Sequence, residues 1–282
     1  MTYFPLLILA AIAAYGAWHW WQQSQVPYMP APPAALRKGL HFLYYGPVDG
    51  AEDHVSAAFE LNGGGAADTA AKMKRHGLPT WLTLSGECFS PGDFRPLPDA
   101  AQRVWATLQT LKDAGVLAQV KVLYPLDEPD MHGVSDAEML AMCATVRAEA
   151  AKFPELAGVK LATTYSMGKG QPVLPGFTGM DLVGYDNYGL GSNIFTSAEF
   201  GHMRAMLAVH QQYFSLPGGG NPWRQDPEAF RREAHNDLLC YGICAFMYGE
   251  RGDDPKNPHM PGIASNGMAV KYRAVGLELI QR

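Results

Sequence analysis

Val120-Lys121-Val122-Leu123-Tyr124-Pro125-Leu126-Asp127-Glu128-Pro129-Asp130 is an apolar run that ends abruptly in two adjacent carboxylates and a proline. The run predicts a buried strand over Val120–Leu126 that delivers acids to its C-terminal tip. In a parallel barrel the C-terminal tips of the strands gather on one concave face. Two neighbouring carboxylates are costly to ionise together. Their pKa values are therefore expected to split, one group staying protonated while the other stays charged. The plainer alternative is a strand-to-loop turn with solvated acids.

Working outward from this stretch, apolar runs alternate with amphipathic ones from Gly39 onward. The strand candidates are Leu40–Tyr45, Val55–Leu61, Thr80–Leu84, Val120–Leu126, Val159–Thr164, Leu182–Tyr185, Gln212–Ser215 and Tyr241–Tyr248. Between and after them, helical spacing marks Ala66–His76, Asp99–Ala114, Ser135–Lys152, Ser197–His210, Pro227–Asp237 and Gly267–Ile280. Ser135 and Glu138 form a capping-box pattern. Gly77, Gly115 and Gly158 stand where helices should end. Strands that alternate with helices pair in parallel, so the chain is read as α/β. Eight such strands over residues 39–282 fit a (β/α)8 TIM barrel. An open doubly wound sheet is the second choice. It would need a G-x-G-x-x-G loop after the first strand, where the chain has Gly46-Pro47-Val48-Asp49-Gly50.

The bulk properties narrow the partners. The 282 residues carry a formal net charge of -5, against the basic face that nucleic acid requires. Aromatic residues make up 11%, including 6 Trp and 13 Tyr, a mild pointer to an aromatic-lined site. Cys88, Cys143, Cys240 and Cys244 form no C-x-x-C pair and are expected to be free and buried. Cys240 and Cys244 would share one strand face, too far apart along it to bridge. The 9 histidines show no H-E-x-x-H spacing, so neither a metal nor any other cofactor is expected. There is no G-x-S-x-G elbow for a serine nucleophile. Arg251-Gly252-Asp253-Asp254 reads as an exposed turn.

Residues 1–21 read as a membrane element. Tyr3 to Trp21 has no acid, Lys or Arg, and Trp18, Trp20 and Trp21 cluster at its end like an interfacial aromatic belt. At roughly 1.5 Å per residue it spans the hydrocarbon core of a bilayer. The charged n-region of a secretory signal is missing, which favours an uncleaved transmembrane helix over a cleaved leader. Residues 22–38 follow as a linker, polar and then rich in proline (Pro27, Pro30, Pro32, Pro33), and should be extended.

Polar residues concentrate where the strands end. The tips supply Tyr45, then Glu60 and Asn62, Ser85 to Cys88, Asp127 and Glu128, Tyr165 and Ser166, Tyr185 to Tyr188, Pro217 to Asn221 with Trp223 just beyond, and Phe246 to Glu250. Carboxylates mixed with Tyr and Trp suit a sugar: acids for the glycosidic bond, aromatic faces for the ring. The candidate substrate contacts are Tyr45, Glu87, Tyr165, Tyr185, Asn187, Tyr188, Trp223, Tyr248 and Glu250. Glu60 sits inside a strand and is read as an ion-pair or hydrogen-bond partner in the barrel interior.

An acid at the tip of the fourth strand, in Leu126-Asp127-Glu128-Pro129, resembles the (β/α)8 glycoside hydrolases. In the large retaining clan of that fold an Asn-Glu at this tip carries the acid/base. Here Glu128 matches the Glu and Asp127 replaces the Asn. That clan also has a nucleophilic Glu at the seventh tip, where this chain has Ser215-Leu216-Pro217-Gly218-Gly219-Gly220. The adjacent Asp-Glu pair is similar to that of substrate-assisted N-acetylhexosaminidases, in which the sugar's own acetamido oxygen attacks the anomeric carbon. That resemblance implies Glu128 as acid and then base, Asp127 orienting the acetamido N–H, and Tyr185 or Tyr188 holding its oxygen. Alternatively Asp186, Glu87 or Glu250 is a second carboxylate, about 5.5 Å from Glu128 for retention or roughly 6.5–9.5 Å for inversion.

The function expected from the sequence is therefore a membrane-tethered glycoside hydrolase acting on a cell-wall or extracellular polysaccharide. Its barrel would lie in the periplasm or outside the cell. The alternative is a glycosidase-like barrel that binds glycan, or serves a structural role, without turnover. The topology has a direct check: a reporter fused after Arg282 should be active on the outer side of the membrane, and cytoplasmic activity would remove the cell-wall reading.

Overall fold

A computed structural model describes residues 37–46, 48, 50–166, 179–186, 188–219, 225–246, 262–264 and 267–280. The expected membrane element and nearly all of the linker lie outside these residues. Among the described residues no helix is long and apolar enough to cross a membrane.

Strands β1 (His41–Tyr44), β2 (Ala58–Glu60), β3 (Thr80–Thr83), β4 (Val120–Tyr124), β5 (Lys160–Tyr165), β6 (Leu182–Tyr185), β7 (Gln212–Ser215) and β8 (Cys240–Ala245) form one sheet. Their order is β1-β8-β7-β6-β5-β4-β3-β2, with every ladder parallel. Helices α1 (Gly65–His76), α2 (Ala100–Asp113), α3 (Asp136–Ala150), α4 (Ala198–Met206), α5 (Pro227–Asn236) and α6 (Ala269–Ile280) follow strands as expected of a (β/α)8 barrel. The remaining seam, β1 against β2, has no ladder and is stitched by Ser56. Its N–H donates to the Phe42 carbonyl at 2.7 Å, and its hydroxyl accepts from the Phe42 N–H at 3.0 Å.

Local signals set the helix ends. The Ser135 hydroxyl accepts from the Glu138 N–H, and the Glu138 carboxylate accepts from the Ser135 N–H, a complete capping box for α3. Gly77 ends α1 in the left-handed region at φ 67°, its N–H donating to Met73 O.

Period-two alternation sorts the strands into two apolar layers. One cluster takes a residue from every strand, including Leu43, Phe59, Trp81, Val122, Ala162, Leu182, Phe214 and Cys244, and fills the barrel interior. Trp81 meets Phe214 edge-on at 5.0 Å, and Phe59 meets Tyr124 at 5.1 Å. The other cluster packs the outward strand faces against the helices. Cys240 lies in the helix-facing layer and Cys244 in the interior, so the two do not share a face as the sequence suggested. The cause is a register shift between β7 and β8, where Tyr213 pairs with Cys240 but Phe214 with Gly242. All four cysteines are free and buried. Glu60 does find an ion-pair partner, His76 at 3.2 Å, but on the helix side and not in the barrel interior as the sequence suggested, because it shares the outward parity of Ala58.

Gly184 marks a tight point of the interior. A Cβ there would stand 2.5 Å from both the Phe214 ring and the Thr164 hydroxyl. Gly184→Ala is expected to destabilise the fold by about 1–3 kcal/mol through overpacking, read as a lower midpoint in guanidinium unfolding.

Candidate active site

The site grows from the end of β4. Val122 and Tyr124 point inward, and the chain then turns through Pro125 and Leu126. Two contacts fasten this turn to β5: the Thr163 hydroxyl donates to Leu126 O at 2.5 Å, and the Glu128 N–H donates to Thr164 O at 3.0 Å. Glu128 itself has φ 43°. A side-chain-bearing residue in this left-handed region costs about 1–3 kcal/mol and persists only where its surroundings hold it. Here Glu128 O also accepts from the Met131 N–H at 2.9 Å.

Asp127 is gripped from two sides. The Tyr45 hydroxyl, just past β1, donates to its Oδ2 at 2.9 Å, and the Tyr124 hydroxyl of β4 donates to its Oδ1 at 2.7 Å. Tyr124 also contacts the Thr164 hydroxyl. Asp186, inward-facing just past β6, interacts with both Glu128 and Tyr188. The aromatic rings of Tyr45 and Tyr188 flank Phe246 at 5.7 and 5.8 Å.

Three carboxyls thus meet at the C-terminal mouth of the barrel, and the electrostatics follow. Burial, then the charges of Asp127 and Asp130, push the Glu128 carboxyl up to about 7. Burial and the charges of Glu128 and Asp127 raise Asp186 well above the usual carboxylate range. Burial also raises Asp127, while the hydrogen bonds from Tyr124 and Tyr45 pull it part of the way back. Glu128 and Asp186 therefore retain a proton between them near neutrality. Among the described residues no group of His, Cys, Asp and Glu side chains is arranged to hold a metal ion.

Of the residues singled out in the sequence, Tyr45, Asp127, Glu128, Asp186 and Tyr188 come together here. Tyr165 and Tyr185 do not: strand alternation turns both outward into the helix layer, where Tyr185 meets Ser197 and Phe200. Glu87 sits on a helical turn, Ser85–Cys88, and accepts from the Asn62 amide at 2.5 Å and the Thr107 hydroxyl at 3.2 Å. Asn187, Trp223, Tyr248 and Glu250 lie outside the described residues. Sequence reading gave no site role to Tyr124, Thr164 or Phe246, although it placed Phe246 at a strand tip. Counting by two from Val122, Ala162 and Cys244 would have pointed each of them into the mouth.

No protein-family model matches the chain, and no curated protein sequence matches it. Solved structures do resemble it in fold. A GH5_18 protein from Bifidobacterium longum subsp. longum, in complex with Manβ1-4GlcNAc, aligns at TM-score 0.56 and 13% identity over 87% of this chain and 79% of that one. A GH113 β-1,4-mannanase aligns at TM-score 0.51 and 10% identity over 88% of this chain and 100% of the other. The Ruminococcus gnavus β-glucuronidase aligns at 0.55 and 10% over 80% of this chain, which spans only 45% of that enzyme. At these identities the likeness establishes the architecture, a (β/α)8 barrel of the kind glycoside hydrolases use.

The raised Glu128 carboxyl gives stability a pH dependence. Unfolded, it titrates at roughly 4.3; folded, at about 7. Its protonated form favours the folded state, so this contribution is complete below the unfolded value and is lost as pH rises through the folded one. Glu128→Gln should therefore gain in melting temperature relative to the parent between pH 5 and pH 8. A constant difference across that range would contradict the assignment.

Proposed function

We propose that this chain is a glycoside hydrolase in which Glu128 protonates the leaving oxygen and then activates water. The observation that carries the reading is the contact between Glu128 and Asp186. Two-carboxylate glycosidases keep their acids about 5–5.5 Å apart for retention, or roughly 6.5–9.5 Å for inversion. The close interaction of Asp186 with Glu128 argues for a role of Asp186 beside the acid rather than as a nucleophile across the sugar from it. The described part of the β7 tip offers no carboxylate either: Ser215 faces the helix layer and Leu216 the interior.

Substrate assistance fits this arrangement. As Glu128 gives its proton to the glycosidic oxygen, the 2-acetamido oxygen of the sugar bonds to the anomeric carbon and the leaving alcohol departs. Water then attacks that carbon, yields its proton to Glu128, and the acetamido group is restored. Asp186 with Tyr188 stands beside Glu128, suited to the acetamido N–H and oxygen. Both Asp127 oxygens already accept from tyrosines, which suits Asp127 to holding charge and position beneath Glu128. The substrate class we infer is an N-acetylhexosamine-containing cell-wall or extracellular polysaccharide. A GH5_18 neighbour was solved with Manβ1-4GlcNAc. Residues 1–21 would tether the barrel to the membrane, with the domain outside the cell.

A second reading, a barrel that binds glycan without cleaving it, draws on the bare β7 tip. One experiment separates them: hydrolysis of aryl N-acetylhexosaminides, their non-acetylated counterparts and peptidoglycan by the parent, Glu128→Gln and Asp186→Asn. The enzyme reading expects cleavage that requires the acetamido group. Removal of the general acid should cost about 10²–10⁴-fold in Glu128→Gln. Glycan binding with no turnover on any substrate would favour the binding module.

A further inference from the structure

Beside the three carboxyls lies a feature the chemistry above does not use. Among the described residues only Phe94 and Glu128 combine a side chain with positive φ, at 49° and 43°. The two are linked. The Phe94 ring stacks on His132 with centroids 3.6 Å apart and planes 15° from parallel. The backbone N–H of His132 donates to Glu128 O at 3.3 Å and to Pro129 O at 3.2 Å, closing the turn that begins at Glu128.

The loop that carries Phe94 is rigid in its own right. Ser90 N–H donates to Arg95 O at 2.9 Å, Arg95 N–H to the Ser90 hydroxyl at 3.0 Å, and Phe94 N–H to Ser90 O at 3.2 Å. Phe89 and Pro96 form an antiparallel bridge at its base. A stiff loop after β3 therefore presses a ring onto the turn after β4.

We propose that His132 is a positioning residue: stacked on Phe94, it clamps the turn that presents Glu128 and keeps the Glu128 carboxyl against Asp186. Without the stack, the strained backbone at Glu128 relaxes and the carboxyl swings toward water. The groups that bear on the site are Asp127, Asp130 and Asp186, with the His132 ring itself kept less basic by burial. The inference deepens the role given to Glu128, but its test needs no substrate.

The test is the titration of Glu128 in the full-length chain by carbon-13 NMR of labelled Glu carboxyls. The Glu128 signal is identified by its loss in Glu128→Gln. In the parent it should titrate near 7. In His132→Ala it should fall by roughly one pH unit or more toward the ordinary carboxylate value. His132→Phe keeps a stacking ring and should restore the parent titration. Phe94→Gly removes the ring while suiting the left-handed backbone, and should shift Glu128 as His132→Ala does. It decides the matter if His132→Ala does not fold. Folded His132→Ala or Phe94→Gly with the parent titration would overturn the clamp and leave the proton-donor reading standing. A parent titration near the ordinary value would overturn both.

Discussion

The grip of two tyrosine hydroxyls on Asp127 is the constraint on which the mouth of this barrel depends. Tyr45 comes from the end of β1 and Tyr124 from β4, so one carboxylate joins strands that lie on either side of β2 and β3. This is also the side of the sheet where β1 and β2 share no ladder. Ser56 stitches that seam lower down, and Asp127 ties it across the top. Removing the carboxylate would leave two buried hydroxyls competing for partners, a costly arrangement in a low-dielectric site.

The same residue sets the electrostatics. Holding Asp127 beside Glu128 places two acids at the end of one strand, and Asp186 brings a third from β6. Among the described residues no lysine or arginine is a principal influence on these groups; His132 is, and burial keeps it less basic. With no such cation among those influences, burial favours the protonated forms of these acids. A neutral carboxyl at physiological pH is what a general acid requires. Architecture and proton affinity therefore have one cause: a crowded, partly dry mouth lined by tyrosines and phenylalanine.

Much of this was legible in the sequence. All eight strands and helices α1 to α6 appear where the alternation of apolar and amphipathic runs placed them, and Asp127 and Glu128 follow β4 as expected; the helical turn Ser85–Cys88 was not foreseen. The errors have physical causes. Tyr165 and Tyr185 end their strands, but parity along the strand, not position at its tip, decides which way a side chain points. The two cysteines of β8 part company because a register shift flips one of them, and a one-residue slip is silent in composition. The Phe94–His132 stack joins residues far apart in sequence, and the left-handed backbone at Glu128 follows from tertiary contacts that no local pattern announces.

On the reading proposed above, the site acts through the sugar's acetamido group and a protonated Glu128, with no protein nucleophile. The most direct measurement is calorimetric titration with a thiazoline analogue of the cyclised N-acetyl sugar, set beside the parent N-acetylhexosamine. Analogues of a high-energy species bind about 10²–10⁸-fold more tightly than substrate. The account predicts a preference of at least ~100-fold for the thiazoline. Equal or weaker binding of the thiazoline would contradict it.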